Sequence, residues 1–69
     1  MKRTQRFERG LKEAREGNEI EILMTYGQEI RAQKTRQMAS KNAFIRTSCQ
    51  QKIDQMKAEK YAIEQAVVG

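Results

Sequence analysis

Apolar residues along the 69-residue chain recur at helical intervals in three successive segments. In the first segment they fall at i, i+4 and i+7, on one side of a helix: Phe7, Leu11 and Ala14. Thr4 can cap the start of this helix, and Gly17 can adopt the left-handed conformation that ends many helices. The pattern predicts a short helix over 4–16. Because Gly10 weakens it by about 1 kcal/mol relative to alanine, this helix must dock on the rest of the chain.

The second segment, 19–39, starts with an ambiguous pattern. Residues 19–22 alternate between polar and apolar as a strand would, but a longer series falls on one side of a helix: Ile20, Leu23, Gly27 and Ile30. A strand without a partner would leave its backbone hydrogen bonds unsatisfied, so we predict a helix capped by Asn18. Gly27 would then allow a partner helix to approach closely, or alternatively it would end a short element.

Between residues 28 and 68 the chain has neither glycine nor proline, the usual markers of a loop. One interpretation ends the second helix near Ala39, turns at 40–42 and begins a third helix there, capped by Ser40 or Asn42. The other is a single long helix over 28–68. That helix would be polar throughout its middle, where Met38 is the only large apolar residue, and such a helix is unstable unless it is paired or bound. The pattern therefore favours an antiparallel helical hairpin.

The third segment, 42–68, has the most regular pattern. Its apolar seam steps by four and three residues: Ile45, Cys49, Ile53, Met56, Ile63 and Val67. Lys60 interrupts this seam with a charge, as some coiled coils do to set their oligomeric state. A chain this short usually needs a disulfide, a metal or a partner subunit for stability. With one cysteine and no histidine, only the partner subunit is left, so we interpret the seam as the interface of a homo-oligomer.

Charge is concentrated in the middle of the chain. The net charge is +5, and residues 30–53 contain six basic residues and no acidic one. In the hairpin interpretation these residues surround the turn and form a basic tip that can attract acidic proteins or polyanions. The candidate binding residues, for a partner or for phosphate, are Arg31, Lys34, Arg36, Lys41 and Arg46.

Catalysis is not expected. The chain has no histidine for acid–base work, and Cys49 lacks a histidine to activate it, so it is interpreted as a small buried apolar residue. No phosphate-binding glycine loop or metal-ligand spacing occurs, so no cofactor or metal is predicted. A free thiol and the lack of a long apolar run predict a cytoplasmic protein with no membrane contact.

These observations predict an all-α protein of one domain, 1–69, with helices at about 4–16, 19–39 and 42–68. Its expected function is non-catalytic and regulatory or adaptor-like: it would bind another protein through the helical seam and the basic tip. One alternative is nucleic-acid binding through the basic tip, 31–52, and the N-terminal bases, among them Lys2, Arg6 and Arg9. A further alternative is a small anionic ligand, such as a nucleotide, held between subunits with help from Tyr26 or Tyr61.

Overall fold

Helices make up almost all of residues 4–68, the part of the chain that this computed structural model describes. Helix α1 spans Gln5–Glu13, α2 spans Glu19–Ala39 and α3 spans Ala43–Val68. No strand occurs within 4–68, so the predicted all-α class is confirmed and the strand alternative at 19–22 is excluded.

The start of α1 is capped as its sequence suggests. Thr4 has an extended backbone, and its hydroxyl accepts a hydrogen bond from the Phe7 amide at 3.1 Å. This bond satisfies one of the amide groups that have no partner within the helix.

The sequence predicted that the first helix ends before Gly17. In the structure the helical run continues through this residue. A π-helical turn over Ala14–Asn18 connects α1 directly to α2, so that residues 5–39 form one helical run of 35 residues. Gly17 does adopt the left-handed region, with φ of 104°, but it bends this run instead of ending it. Asn18 makes no side-chain capping bond to α2. The prediction of a separate short helix was wrong because a single left-handed glycine can be accommodated in a widened helical turn.

Gly17 and Gly27 form a matched pair for testing this bend. Gly17→Ala should destabilise the fold by about 1 kcal/mol or more, because alanine is strained at positive φ. Gly27→Ala should stabilise it by up to about 1 kcal/mol, because Gly27 is helical and an added Cβ would meet nothing within 4 Å. Urea denaturation followed by circular dichroism measures both changes. Equal effects of the two substitutions would show that the bend does not depend on glycine.

The connection between α2 and α3 is short and capped. The chain leaves the helical conformation at Ser40, whose backbone is extended. Asn42 then caps α3: its side-chain oxygen accepts hydrogen bonds from the amides of Phe44 at 2.8 Å and Ile45 at 3.3 Å. The helical run is thus interrupted at 40–42, and the single long helix over 28–68 is not formed.

Helices α2 and α3 share the most extensive contact in the chain, and α1 packs on both of them. Late in α2, the Gln37 amide donates to the Gln50 side chain at 3.0 Å. Earlier in α2, the Tyr26 hydroxyl donates to Glu59, near the middle of α3, at 2.7 Å. Early residues of α2 therefore meet later residues of α3. We call these two helices the α2–α3 pair.

The seam of α3 lies inside this single chain. Its central residues are buried, with Ile53 at 1% and Ile63 at 0% exposure, and they pack in one core with α1 and α2. Cys49 and Met56 are buried too, whereas the two ends of the seam, Ile45 and Val67, are partly exposed at 37% and 38%. The residues interpreted as an oligomer interface are thus mostly core residues, because α1 and α2 cover the seam that a second subunit was expected to cover.

The buried side of α2 also differs from the predicted one. Tyr26 and Ile30 are its buried residues, and Ile22 packs partly against the core. Ile20, predicted to lie in this stripe, is 70% exposed. The two stripes share Ile30 and also Leu23, which packs partly against the core. Their centres lie roughly 60° apart around the helix, so a short apolar run could not distinguish them.

Candidate functional site

Glu59 is the one charged residue among the buried residues of the described chain, with 0% of its surface exposed. It lies on α3 between Met56 and Ile63, three residues after the first and four before the second. It thus occupies the buried position that the sequence assigned to Lys60, which is half-buried. Both positions are compatible with a helical stripe, so spacing alone did not identify the buried charge.

Five hydrogen bonds from three parts of the chain surround the Glu59 carboxylate. Tyr26 of α2 donates at 2.7 Å, and Gln55 of α3 donates at 2.6 Å. The Thr4 hydroxyl donates at 3.2 Å, and Arg6 donates through Nε at 3.2 Å and Nη2 at 3.5 Å. Glu59 therefore attaches the start of α1 to both helices of the α2–α3 pair.

The neighbours of Glu59 shift its acidity and that of Tyr26. Burial alone would raise the pKa of Glu59, but hydrogen bonds from Gln55, Arg6 and Tyr26, with the positive charge of Arg6, hold the pKa below its ordinary value. Burial, then the hydrogen bond to Glu59 and its negative charge, raise the pKa of the Tyr26 hydroxyl. The carboxylate is therefore ionised and the phenol neutral near neutral pH.

The lowered pKa of Glu59 predicts a specific loss of stability in acid. A carboxylate whose folded pKa lies below its unfolded value of about 4.3 stabilises the fold above that pH, and this stabilisation is lost as the pH falls through the folded pKa. The difference in unfolding free energy between wild type and Glu59→Gln should therefore shrink from about pH 5 downwards. Urea titrations between about pH 7 and pH 2 measure it. If the difference in unfolding free energy stayed constant over this pH range, the lowered pKa of Glu59 would be contradicted.

The chemistry available to this cluster is structural. A carboxylate has about four lone-pair positions, and those of Glu59 are occupied by donors from this chain. The buried carboxylate is thus not free to accept a proton from a substrate, and the Tyr26 hydroxyl is engaged with it. We therefore assign the cluster a structural role, which is to hold α1 in place. The exposed surface of the chain is then the candidate for binding.

The five basic residues predicted as a tip do not form one cluster. All five are exposed. Arg31 and Lys34 line a groove on the α2–α3 pair, whereas Arg36, Lys41 and Arg46 lie outside it, around the connection. Arg36 is separated from Lys34 by about 200° around α2, so the two residues point to different sides of the helix.

The groove containing Arg31 and Lys34 lies along the α2–α3 pair, away from α1. Helix α1 meets α2 through Ile22, Tyr26 and Glu29, none of which lines this groove. We call it the open groove. Its lining residues are Ile20, Leu23, Met24, Gly27, Gln28, Ile30, Arg31 and Lys34 from α2, and Lys57, Lys60, Tyr61 and Glu64 from α3.

The open groove is basic. It contains four cations and one acidic residue, and in the described part of the chain only Lys60 has an acidic partner there, Glu64 at 3.6 Å. The charges of Arg31, Lys34 and Lys57 are therefore available to an external acidic group. Such charges near one another steer an oppositely charged partner and favour its binding.

The two ends of the open groove differ in character. Ile20, Leu23 and Met24 form an apolar end, where Ile20 and Met24 are 70% and 59% exposed. The basic end begins one helical turn beyond Gly27, which lies between the two ends. Nothing lies within 4 Å of a Cβ added at Gly27, so the middle of the groove is open.

Sequence reasoning missed Lys57 and Lys60 as members of the basic surface. They belong to 54–69, a segment with more acidic than basic residues, so its net charge did not indicate a basic surface. Their spacing of three residues does place them on one side of a helix. What the sequence could not show is that this side adjoins Arg31 and Lys34, because that depends on how the two helices pair.

The remaining predictions concern residues with other roles or outside the described range. Tyr26, proposed to contact an anionic ligand, is buried with its hydroxyl bonded to Glu59, whereas Tyr61 lines the open groove. Of the N-terminal bases, Lys2 lies outside the described residues, Arg6 is bonded to Glu59 and Glu29, and Arg9 is exposed. Within 4–68, no helix combines the length and apolar character needed to cross a membrane, and no three acidic or cysteine side chains come together as metal ligands.

Comparison of the chain with models of known protein families, with curated proteins and with solved structures finds no match.

Proposed function

We propose that this chain is a small non-catalytic adaptor or regulatory protein that binds an acidic segment of another protein in the open groove. The supporting observation is the combination of three cations without acidic partners in the described chain, Arg31, Lys34 and Lys57, with an exposed apolar end on one surface. Protein interfaces combine an apolar centre with complementary charge in this way.

In this proposal, α2 and α3 form an antiparallel helical hairpin that acts as the binding platform. Its support is a pair of hydrogen bonds: Tyr26, earlier in α2, donates to Glu59 in the second half of α3, whereas Gln37, late in α2, donates to Gln50 in the first half of α3. Helix α1 braces one side of the hairpin through Arg6 and leaves the groove side uncovered. A homo-oligomer through the seam is not part of this proposal, since Ile53 and its neighbours are buried within one chain.

Charge reversal tests the proposed surface. Arg31→Glu with Lys57→Glu should abolish partner binding and leave helicity unchanged, because both side chains are exposed. Arg36→Glu with Lys41→Glu changes the net charge by the same amount outside the groove and should leave binding intact. The binding assay is capture of partner proteins from a nuclease-treated extract of the cells that make the protein. Zero-length carbodiimide coupling then joins lysine amines to carboxylates of the bound partner.

The position of the couplings decides the outcome. We expect a partner whose aspartates or glutamates couple to Lys34 and Lys57, and whose capture is lost with the groove variant only. The open groove would be contradicted as the binding site if the groove variant captured as much partner as the variant with Arg36→Glu and Lys41→Glu. Couplings confined to Lys41 would contradict it too.

A nucleic acid bound at the connection is the competing proposal. Its support is Phe44, which is 88% exposed near Lys41 and Arg46 and could stack on a base. This proposal predicts that binding disappears with nuclease, weakens by orders of magnitude between low and moderate salt, and is lost with Arg36→Glu and Lys41→Glu. The same pair of variants therefore separates the two proposals.

A further inference from the structure

Helix α1 shows how a helix packs on the α2–α3 pair. It lies close to the pair at Gly10, where an added Cβ would be 3.2 Å from Ile63 Cδ1 and 3.4 Å from Ile22 Cγ2. A larger residue there would push α1 outwards or displace those side chains. Arg6, one turn earlier, provides a charged contact with Glu59. The packing thus combines a small residue at a close approach, apolar neighbours and one charged anchor.

The open groove presents the same three components on another side of the pair. Gly27 is the small residue, Leu23 and Met24 are the apolar neighbours, and Arg31 and Lys57 are the charged groups. The roles are reversed in one respect. In the α1 contact the glycine lies on the helix that packs on the α2–α3 pair, whereas Gly27 lies on the pair itself. The large side chain that fills the space at Gly27 therefore has to come from the bound helix. The open space above Gly27 can accept it.

We infer that the open groove binds an acidic amphipathic helix, with one large apolar side chain of that helix against Gly27. This inference rests on the proposed function. Along α2 the groove extends from Ile20 to Lys34, which is about 21 Å or four helical turns. A bound helix of about 14 residues would fill it. Recognition of an amphipathic helix in an apolar groove is a common mode of peptide binding.

The spacing in the groove defines the sequence of the bound helix. Gly27 is separated from Arg31 by about 6 Å and from Lys34 by about 10 Å along the axis of α2. The acidic residues of the partner should therefore stand about four to seven positions from its apolar anchor, on the same side of its helix. A second apolar residue, one turn from the anchor in the other direction, would meet Leu23 and Met24.

A second copy of this chain is the less suitable occupant. Two open grooves facing each other would gather six cations in one interface, namely Arg31, Lys34 and Lys57 of each chain. Each groove contains only Glu64 to oppose them, and Glu64 is already paired with Lys60. Like charges placed together at an interface oppose association. Sedimentation equilibrium of the free protein tests this directly, and a stable dimer that is lost with Gly27→Leu would identify a second copy as the occupant.

Selection from a library of displayed 16-residue peptides of random sequence tests the inference without knowledge of the natural partner. Peptides that bind the wild-type chain are sequenced, synthesised and titrated by fluorescence anisotropy, and circular dichroism measures their helicity when bound. Gly27→Leu fills the space at the closest approach and should weaken binding by about tenfold or more. Ala58→Leu adds the same side chain at an exposed position of α3 outside the groove and should have no effect. Gly27→Ala, expected to fold at least as well as wild type, should give an intermediate loss.

The possible outcomes distinguish failure of this inference from failure of the proposal on which it rests. Enriched peptides with acids four to seven positions from a large apolar residue, sensitive to Gly27→Leu and to Arg31→Glu, support both. Acidic peptides that bind Gly27→Leu as tightly as wild type overturn the inference and leave the basic groove as a binding site. Peptides without acidic enrichment, or binding unaffected by Arg31→Glu, overturn both.

Discussion

Ile53→Asp is expected to unfold the chain. Ile53 is 1% exposed and lies in the core formed by all three helices. The substitution removes about 1.5–3 kcal/mol of apolar burial and places a carboxylate in the apolar core, at a further cost of several kcal/mol. A chain of this size is stabilised by roughly 3–5 kcal/mol, so the change exceeds the whole margin. Far-ultraviolet circular dichroism should show the loss of helix.

Ile20→Asp is the matched control for this prediction. It introduces the same residue on α2, but Ile20 is 70% exposed, so stability should change by no more than about 0.5 kcal/mol. Both variants are measured over a range of protein concentrations, because burial within one chain predicts results that do not depend on concentration. A folded monomer of the Ile53→Asp variant would show that the seam is an interface between chains.

Arg6→Met is expected to destabilise the fold more than a surface ion pair could explain. Without the guanidinium of Arg6, the buried Glu59 carboxylate keeps hydrogen-bond donors but has no cationic partner among residues 4–68. Loss of one partner of a buried pair costs up to about 3–5 kcal/mol, and the exposure of 45% of the Arg6 side chain reduces this by solvent screening. A loss of about 2 kcal/mol in urea denaturation is the expected result.

A double-mutant cycle isolates this contribution. Combining Arg6→Met with Glu59→Met replaces both partners by apolar side chains, so the double variant should be more stable than the sum of the single losses predicts, by about 1–3 kcal/mol. The exposed pair between Lys60 and Glu64, treated in the same way, should give only about 0.3–0.5 kcal/mol. Equal coupling in the two cycles would mean that the Glu59 cluster is no more than a surface contact.

Local signals in the sequence were the most informative about this fold. The Thr4 cap and the left-handed Gly17 were expected from residue types whose roles depend on their immediate neighbours. The break at 40–42 and the Asn42 cap follow from the same kind of signal, in a stretch where a long polar helix would be unstable. Such features depend on few residues, so a single sequence can indicate them.

Features that depend on pairing between helices were not predictable in this way. The buried side of α2 is turned by roughly 60° from the expected one, and Glu59 occupies the core position assigned to Lys60. In both cases two neighbouring residues satisfy helical spacing equally well. The choice between them depends on Arg6 and Tyr26, which meet Glu59 only after the three helices have packed. No local pattern contains that information.

The candidate site shows the same division. Arg31 and Lys34 were identified from their place in a basic stretch, and the structure puts them in the open groove. Arg36 came from the same stretch but points away, since charge along the chain does not specify the side of a helix. Lys57 was missed because its contribution depends on the register between α2 and α3.

Mapping of the bound peptide by nuclear magnetic resonance tests the central claim, that the open groove is the binding surface. The measurement follows the amide signals of the isotope-labelled chain as a library-selected acidic peptide is added. We expect the largest shifts of the amide signals at Leu23, Gly27 and Arg31 of α2 and at Lys57 and Tyr61 of α3, and no change in the signals of α1. Shifts concentrated on α1, or on residues 40–46 around the connection, would contradict it.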